Sequence, residues 1–204
     1  MQITLHNAGK RYNYEWIFRN LDLQLRSDIC YAILGPNGSG KSTLLQCIST
    51  YKLLSEGKIA FEAEGRPVNY YPGLVAIAAP YLELIEEFTM KELFQFQEAF
   101  SSFQRGVLYD DFISITGLAK HQHKVLKLFS SGMKQRVKLA LAVLRDTPVL
   151  LLDEPTTNLD TDGVRWYQEL MTRHLRGRIV VIGSNDEREY TFCSTQIQMR
   201  DYKK

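Results

Sequence analysis

Residues 35–42 read Gly35-Pro36-Asn37-Gly38-Ser39-Gly40-Lys41-Ser42, and Thr43 follows. The glycines at 38 and 40 free the main chain to approach a ligand closely and to take angles that a side chain would block. Before the run stands the apolar stretch Cys30-Tyr31-Ala32-Ile33-Leu34, and after it a segment with helical spacing. Strand, glycine-rich loop and helix in that order form a phosphate cradle, because backbone N–H groups and a helix N-terminus converge on one anion. In such a cradle Lys41 reaches the β- and γ-phosphates of a nucleoside triphosphate and the Ser42 hydroxyl sits on Mg2+. A chance glycine-rich turn would not explain the strand before the loop or Lys41-Ser42-Thr43 at its end.

A second group of residues carries the complementary chemistry. In Val149-Leu150-Leu151-Leu152-Asp153-Glu154-Pro155 an apolar run builds a buried strand, and Asp153 emerges at its end. An aspartate there can hold Mg2+ opposite Ser42. Glu154 follows at once, so its side chain points elsewhere, and it is suited to polarise an attacking water as general base. Read alone, the pair could be two solvated acids at a strand end; the upstream phosphate loop favours the catalytic reading.

These residues need elements to hold them. Residues 2–5 and 20–25 alternate apolar with polar side chains, the pattern of half-buried antiparallel strands. Residues 30–34, 148–152 and 179–182 are continuously apolar, which suits central strands of a parallel sheet covered on both faces. Residues 74–79 belong with them. Helical patterns occupy residues 41–49, 108–116 (ending at Gly117), 134–144 and 162–175 (closed by Gly177). Thr89-Met90-Lys91-Glu92 is a capping box that opens a helix through Phe100. The stretch 83–128 is rich in helix and breaks the α/β alternation, so it is expected to form a helical lobe.

Bulk properties limit the function classes. The chain has 204 residues and a formal charge of +2, with its basic residues scattered, so no nucleic-acid partner is expected. No stretch approaches the ~20 consecutive apolar residues of a membrane span, and the N-terminus lacks a signal-peptide pattern, which together predict a cytoplasmic protein. Cys30, Cys47 and Cys193 are odd in number and far apart, which suits neither a disulfide framework nor a zinc site; Cys30 and Cys47 read as small core residues.

With both halves of the site in place, the chain resembles the ATP-binding cassette (ABC) ATPases over nearly its whole length. The resemblance rests on residues 35–42, on Phe129-Ser130-Ser131-Gly132-Met133-Lys134-Gln135-Arg136, on the strand ending at Asp153-Glu154, on Thr157-Asn158-Leu159-Asp160, and on Gly183-Ser184-Asn185-Asp186. It implies one α/β domain of the P-loop NTPase class over residues 1–204. That domain has a mixed-sheet core (1–82 and 129–204), an N-terminal antiparallel β region and an inserted helical lobe (83–128). It implies that Ser130, Ser131, Gly132 and Met133 form the signature that grips the γ-phosphate held by a second subunit. It also implies that Asp160 lies in the loop crossing the dimer interface, and that Tyr12 stacks on adenine, with Tyr14 and Trp16 as rivals. A helix beginning at Ser130 and Gly132 would favour an anion through its free N–H groups and dipole.

The chain departs from the family at four positions. Asn185 stands where a γ-phosphate-touching histidine is usual, and Tyr81 where a glutamine is usual. Ser131 replaces a glycine and Met133 a glutamine. An asparagine can donate to phosphate but cannot titrate, so slow turnover is an expectation; Glu154, Lys41 and Asn185 remain the expected catalytic set. The resemblance implies ATP and Mg2+ as ligands and a head-to-tail dimer with an identical or related ATPase subunit. It also implies a separate transmembrane permease docked near Tyr81 and residues 83–88, with the chain peripheral on the inner face of the membrane. The alternative is a soluble nucleotide-gated clamp or assembly factor with slow or no turnover. His121 and His123 read as an exposed loop, and most of the phenylalanines at 88, 94, 96, 100 and 103 as core of the helical lobe.

Overall fold

In the computed structural model, which describes residues 1–68 and 73–202, the alternating N-terminal segments form a long hairpin. β1 (Gln2–Tyr12) and β2 (Glu15–Arg26) pair antiparallel, joined at Asn13-Tyr14. Both strands run well beyond the alternating stretches at 2–5 and 20–25. Register shifts between Leu5 and Arg11 absorb the residues that break the pattern. There follow β3 (Cys30–Leu34), α1 (Lys41–Ile48), β4 (Glu56–Ala63), β5 (Arg66–Pro67), β6 (Val75–Ala78), α2 (Met90–Glu98), α3 (Tyr109–Thr116), α4 (Ser131–Leu144), β7 (Val149–Asp153), α5 (Thr161–His174), β8 (Ile179–Ser184) and β9 (Thr195–Gln198). The four-stranded antiparallel sheet has the order β2-β1-β4-β5, and the five-stranded parallel sheet the order β6-β7-β8-β3-β9. Strands β4, β5 and β9 were not anticipated; they are short or partly polar, and pairing holds them where local pattern does not.

The continuously apolar runs are the strands covered on both faces. Val149 and Leu151 of β7 face a buried cluster with Leu44, Leu45, Phe18 and Phe61, between the two sheets and α1. Leu150 and Leu152 face the opposite cluster, with Val137, Ala140, Tyr167 and the helical segment. Period-two side-chain direction thus divides one strand between two cores.

The segment 83–128 contains α2, α3 and single 3-10 turns at Ala119–His121 and Leu126–Leu128. Thr89 caps α2 reciprocally with Glu92: Glu92 N–H donates to Thr89 Oγ1 at 3.3 Å, and Thr89 N–H donates to Glu92 Oε2 at 2.8 Å. Met90, Phe94, Phe112 and Leu126 share their buried cluster with α4 and one face of the parallel sheet. Phe94 stacks on Phe103 at 4.2 Å, whereas Phe100 is 71% exposed at the rim.

Cys30 and Cys193 are joined by a disulfide, contrary to the expectation of unpaired cysteines. They are 163 residues apart. The topology sets β9 beside β3, so the residues at the start of both strands become neighbours, and Ser194 N–H donates to Cys30 O at 3.2 Å. Cys47 is free and buried, as expected of a small core residue. Among the described residues no helix is long and apolar enough to cross a membrane.

Candidate functional site

The phosphate loop leaves the fully buried strand β3 and enters α1 through Gly40. Gly40 has φ 103, and a Cβ there would lie 2.6 Å from Ile17 Cγ2, so only glycine lets β2 pack against the loop. Ser39 N–H donates to Pro36 O at 3.0 Å, closing the turn, and Leu44 N–H donates to Gly40 O at 2.9 Å, starting the helix. Lys41 is 4% exposed; its ammonium donates to Gly35 O at 2.7 Å and Pro36 O at 3.4 Å. It therefore lies curled over the loop it would serve. Ser42 and Thr43 stand in the first turn of α1, half-buried.

Asp153 ends β7, opposite Gly183 in the parallel register with β8. A Cβ at Gly183 would lie 3.1 Å from Asp153 Oδ1 and 3.0 Å from Leu45 Cδ1, so the glycine gives the carboxylate its space. Asp153 is 2% exposed and lies beside the Ser42 side chain, while its Oδ1 has no hydrogen-bond partner. Burial pushes its carboxyl above the usual range, Glu154 adds to this, and Ser42 and Lys41 oppose it. Glu154 takes a left-handed backbone (φ 45), held by its N–H donating to Gly183 O at 2.9 Å. Such a conformation costs on the order of 1–3 kcal/mol and persists only where neighbours impose it.

Asn185, just past β8, reaches the loop: its Nδ2 donates to Asn37 Oδ1 at 2.9 Å. Asn37, Glu154 and Asn185 together line a cleft of 320 Å³. The structure thus brings Lys41, Ser42, Asp153, Glu154 and Asn185 to the C-terminal ends of the parallel strands. Tyr81, after β6, joins this region beside Gln46 of α1: burial pushes its hydroxyl up to about 12, Gln46 opposes this and Asp153 adds to it. Tyr12, at the end of β1, is 41% exposed and accepts a hydrogen bond on its hydroxyl from Lys52 Nζ at 2.7 Å. Lys10 and Lys52 approach its ring at 5.3 and 5.1 Å. Of its rivals, Tyr14 is 96% exposed, and the Trp16 ring is covered by Arg11 and Arg19.

The run expected to act in a second subunit begins α4. Ser130 is the N-cap, its Oγ accepting from Met133 N–H at 3.2 Å. The helix starts at Ser131, three residues before the pattern at 134–144, because Ser130 supplies the cap and Gly132 packs tightly on Asn158 O. Ser130 and Ser131 are exposed, and Gly132 and Met133 are half-buried. Among the described residues no hydrogen bond joins them to the phosphate loop. Asp160 caps α5, accepting from Gly163 N–H at 2.7 Å. His121 is half-buried against Phe129, and His123 is exposed.

Two supporting side chains went unread in the sequence. Gln135 Nε2 donates to Pro155 O at 2.6 Å, tying α4 to the turn after Glu154. Glu189, 2% exposed, accepts from Thr156 N–H at 2.7 Å and Thr156 Oγ1 at 2.6 Å. A lone acid in a polar run carries no signal that it will be buried; only the Gln135 spacing, on the inward face of α4, could have pointed to its role.

A protein-family model described as ABC transporter matches residues 18–157. The chain is 31% identical over 193 residues to the cytochrome c biogenesis ATP-binding export protein CcmA of Agrobacterium fabrum, covering 91% of this chain and 89% of that one. It is 30% identical over 195 residues to the ABC transporter ATP-binding protein YhcH of Bacillus subtilis, covering 90% of this chain but only 61% of the relative's length. In fold it superposes on a dimeric ATP-binding cassette in a post-hydrolysis state bound to ADP and phosphate, with TM-score 0.82, 22% identity, and 96% and 93% of the two chains covered. A Pyrococcus furiosus ATP-binding protein gives TM-score 0.84 at 20% identity, covering 100% of both chains.

Proposed function

The chain belongs to the ABC transporter family, and on that premise we propose that it is an ATP-binding, ATP-hydrolysing subunit that powers a separate transmembrane permease as a head-to-tail dimer. One observation carries the reading: a buried carboxylate oxygen without a partner, on Asp153, stands with Ser42 and Lys41 at the mouth of the phosphate loop. An unpaired buried acceptor is costly, and a ligand-borne cation would satisfy it.

Mg2+ fits this donor set. Ser42 and Asp153 offer hard oxygens, and Mg2+ takes few protein ligands because phosphates and water supply the others. When bound, Mg2+ neutralises charge across the β- and γ-phosphates. The chain's own residues do the rest. N–H groups of residues 38–43 and the start of α1 hold the phosphates, and Lys41 swings from the Gly35 carbonyl to the β- and γ-oxygens. Tyr12 supports adenine. Glu154 accepts a proton from the water that attacks the γ-phosphorus as the bond to the β,γ-bridging oxygen breaks. Asn185 donates to the γ-phosphate in place of Asn37.

Ser130, Ser131, Gly132 and Met133 close the site from the second subunit, with Asp160 in the loop beside them. ATP binds the closed dimer more tightly than the open one, and loss of the γ-phosphate reverses that preference; the difference in affinity is the work available to the permease. The permease places the chain at the inner face of the membrane. The likeness to CcmA, named as an export protein, supports outward transport.

The test is steady-state ATP turnover by the purified chain, with Lys41→Ala as blank, alone and with a multispan membrane protein that co-purifies with it. Turnover above the blank that rises with the membrane protein is expected. Turnover equal to the blank in both cases would overturn the proposal.

A further inference from the structure

At the N-terminal ends of β7 and β8, away from the phosphate loop, a cleft of 380 Å³ is lined by Arg145, Arg173, His174, Arg176 and Arg178. Arg178 is 4% exposed. Its guanidinium donates to Val143 O at 2.8 Å and to Thr147 Oγ1 at 2.6 Å, both neutral acceptors, and its Nε is buried with no partner. Arg145 likewise donates to the neutral Gln97 Oε1 at 2.6 Å. Among the described residues none of the four arginines forms an ion pair with a carboxylate. A guanidinium this buried ordinarily has a counter-charge.

Internal compensation exists but falls short. Asp146 lies on the cleft and attracts Arg178 through space. Helices α4 and α5 both end here, and each C-terminus offers roughly half a negative charge. Asp28, at the edge, is engaged by Gly177 N–H at 2.7 Å. Set against four arginines, these leave a surplus on the order of one to two positive charges, the charge of a phosphate monoester. Burial pushes His174 below its usual value, helped by Arg178 and Arg173, so it adds a neutral donor or acceptor rather than charge.

We propose that this cleft binds a phosphate monoester, seated on the buried Arg178 and gripped by Arg145, Arg173 and Arg176. Guanidinium forks match phosphate oxygens in pairs, which a lysine cluster would not do. The volume lies within the roughly 300–1,000 Å³ of ligand sites and exceeds what a bare phosphate fills, so the ester's organic group has room.

The test uses the full chain carrying Lys41→Ala, which disables the phosphate loop, and titrates glycerol 3-phosphate by calorimetry and by 31P line broadening. Sedimentation with phosphatidylcholine vesicles, with and without phosphatidic acid, runs alongside. Arg173→Glu with Arg176→Glu is the main variant, since both residues are exposed and the fold does not depend on them; an unchanged melting temperature verifies this. Arg178→Met is the second. Saturable binding is expected, weakened about tenfold or more in the double variant. Binding of glycerol 3-phosphate without vesicle capture assigns the phosphate to a soluble ligand. Capture by phosphatidic acid that the double variant loses assigns it to a lipid headgroup. No saturable binding in either arm, or equal binding by the parent and the double variant, overturns the proposal.

Discussion

Glu154→Gln is expected to lower ATP turnover by about 10²–10⁴-fold while leaving ATP affinity within a few-fold of the unaltered chain. The amide keeps the size and hydrogen-bonding reach of the carboxylate, and the backbone that holds it, φ 45 with the N–H on Gly183 O, is unaffected by the change. What disappears is the capacity to take a proton from the attacking water. Neither Lys41 nor Ser42 depends on Glu154 for position, so the phosphate cradle stays intact. Phosphate release measured beside equilibrium nucleotide binding separates the two quantities. Equal losses in turnover and affinity would mean that Glu154 shapes the site and does not act on water.

Lys41→Ala acts at the other end of the cycle and is expected to weaken ATP binding by about 10²–10³-fold. A buried ammonium that reaches two phosphates makes charge-assisted hydrogen bonds worth on the order of 1.5–3 kcal/mol each. Its present partners, the Gly35 and Pro36 carbonyls, are backbone groups at a loop, and the loop's turn is closed independently by Ser39 N–H on Pro36 O. The variant therefore keeps its fold. Fluorescent-nucleotide titration next to a melting curve distinguishes lost binding from lost structure.

Most of the candidate site was legible because it is local. Residues 30–43 carry strand, loop and helix start within a single stretch, and residues 149–154 carry a strand and its terminal acids. Register then did what pattern could not: β8 lies between β7 and β3, so Gly183 opposite Asp153 decides how much room that carboxylate has. Long-range groups were invisible for the same reason. Nothing near Cys30 announces Cys193, since only the placement of β9 beside β3 brings them together. Glu189 stands in a polar run with no local signal of burial, and only the fold brings Thr156 onto it. The helical segment was read correctly as helix-rich, and its capping box at Thr89 is formed. Its buried phenylalanines, however, belong to the same apolar cluster as α4 and the sheet, a continuity that spacing along the chain cannot reveal.

Sharing of each ATP between two subunits is most directly tested by complementation. Two versions of the Glu154→Gln chain are prepared, one with Lys41→Ala and one with Ser131→Glu. Ser131 is exposed in the first turn of α4, where a glutamate suits the helix dipole but repels an approaching γ-phosphate. Sedimentation velocity with ATP should show each version alone as monomer. An equimolar mixture should form a dimer, because one intact phosphate loop then faces one intact signature. If the Ser131→Glu chain dimerises on its own with ATP, or the mixture stays monomeric while the Glu154→Gln parent dimerises, the shared site is contradicted.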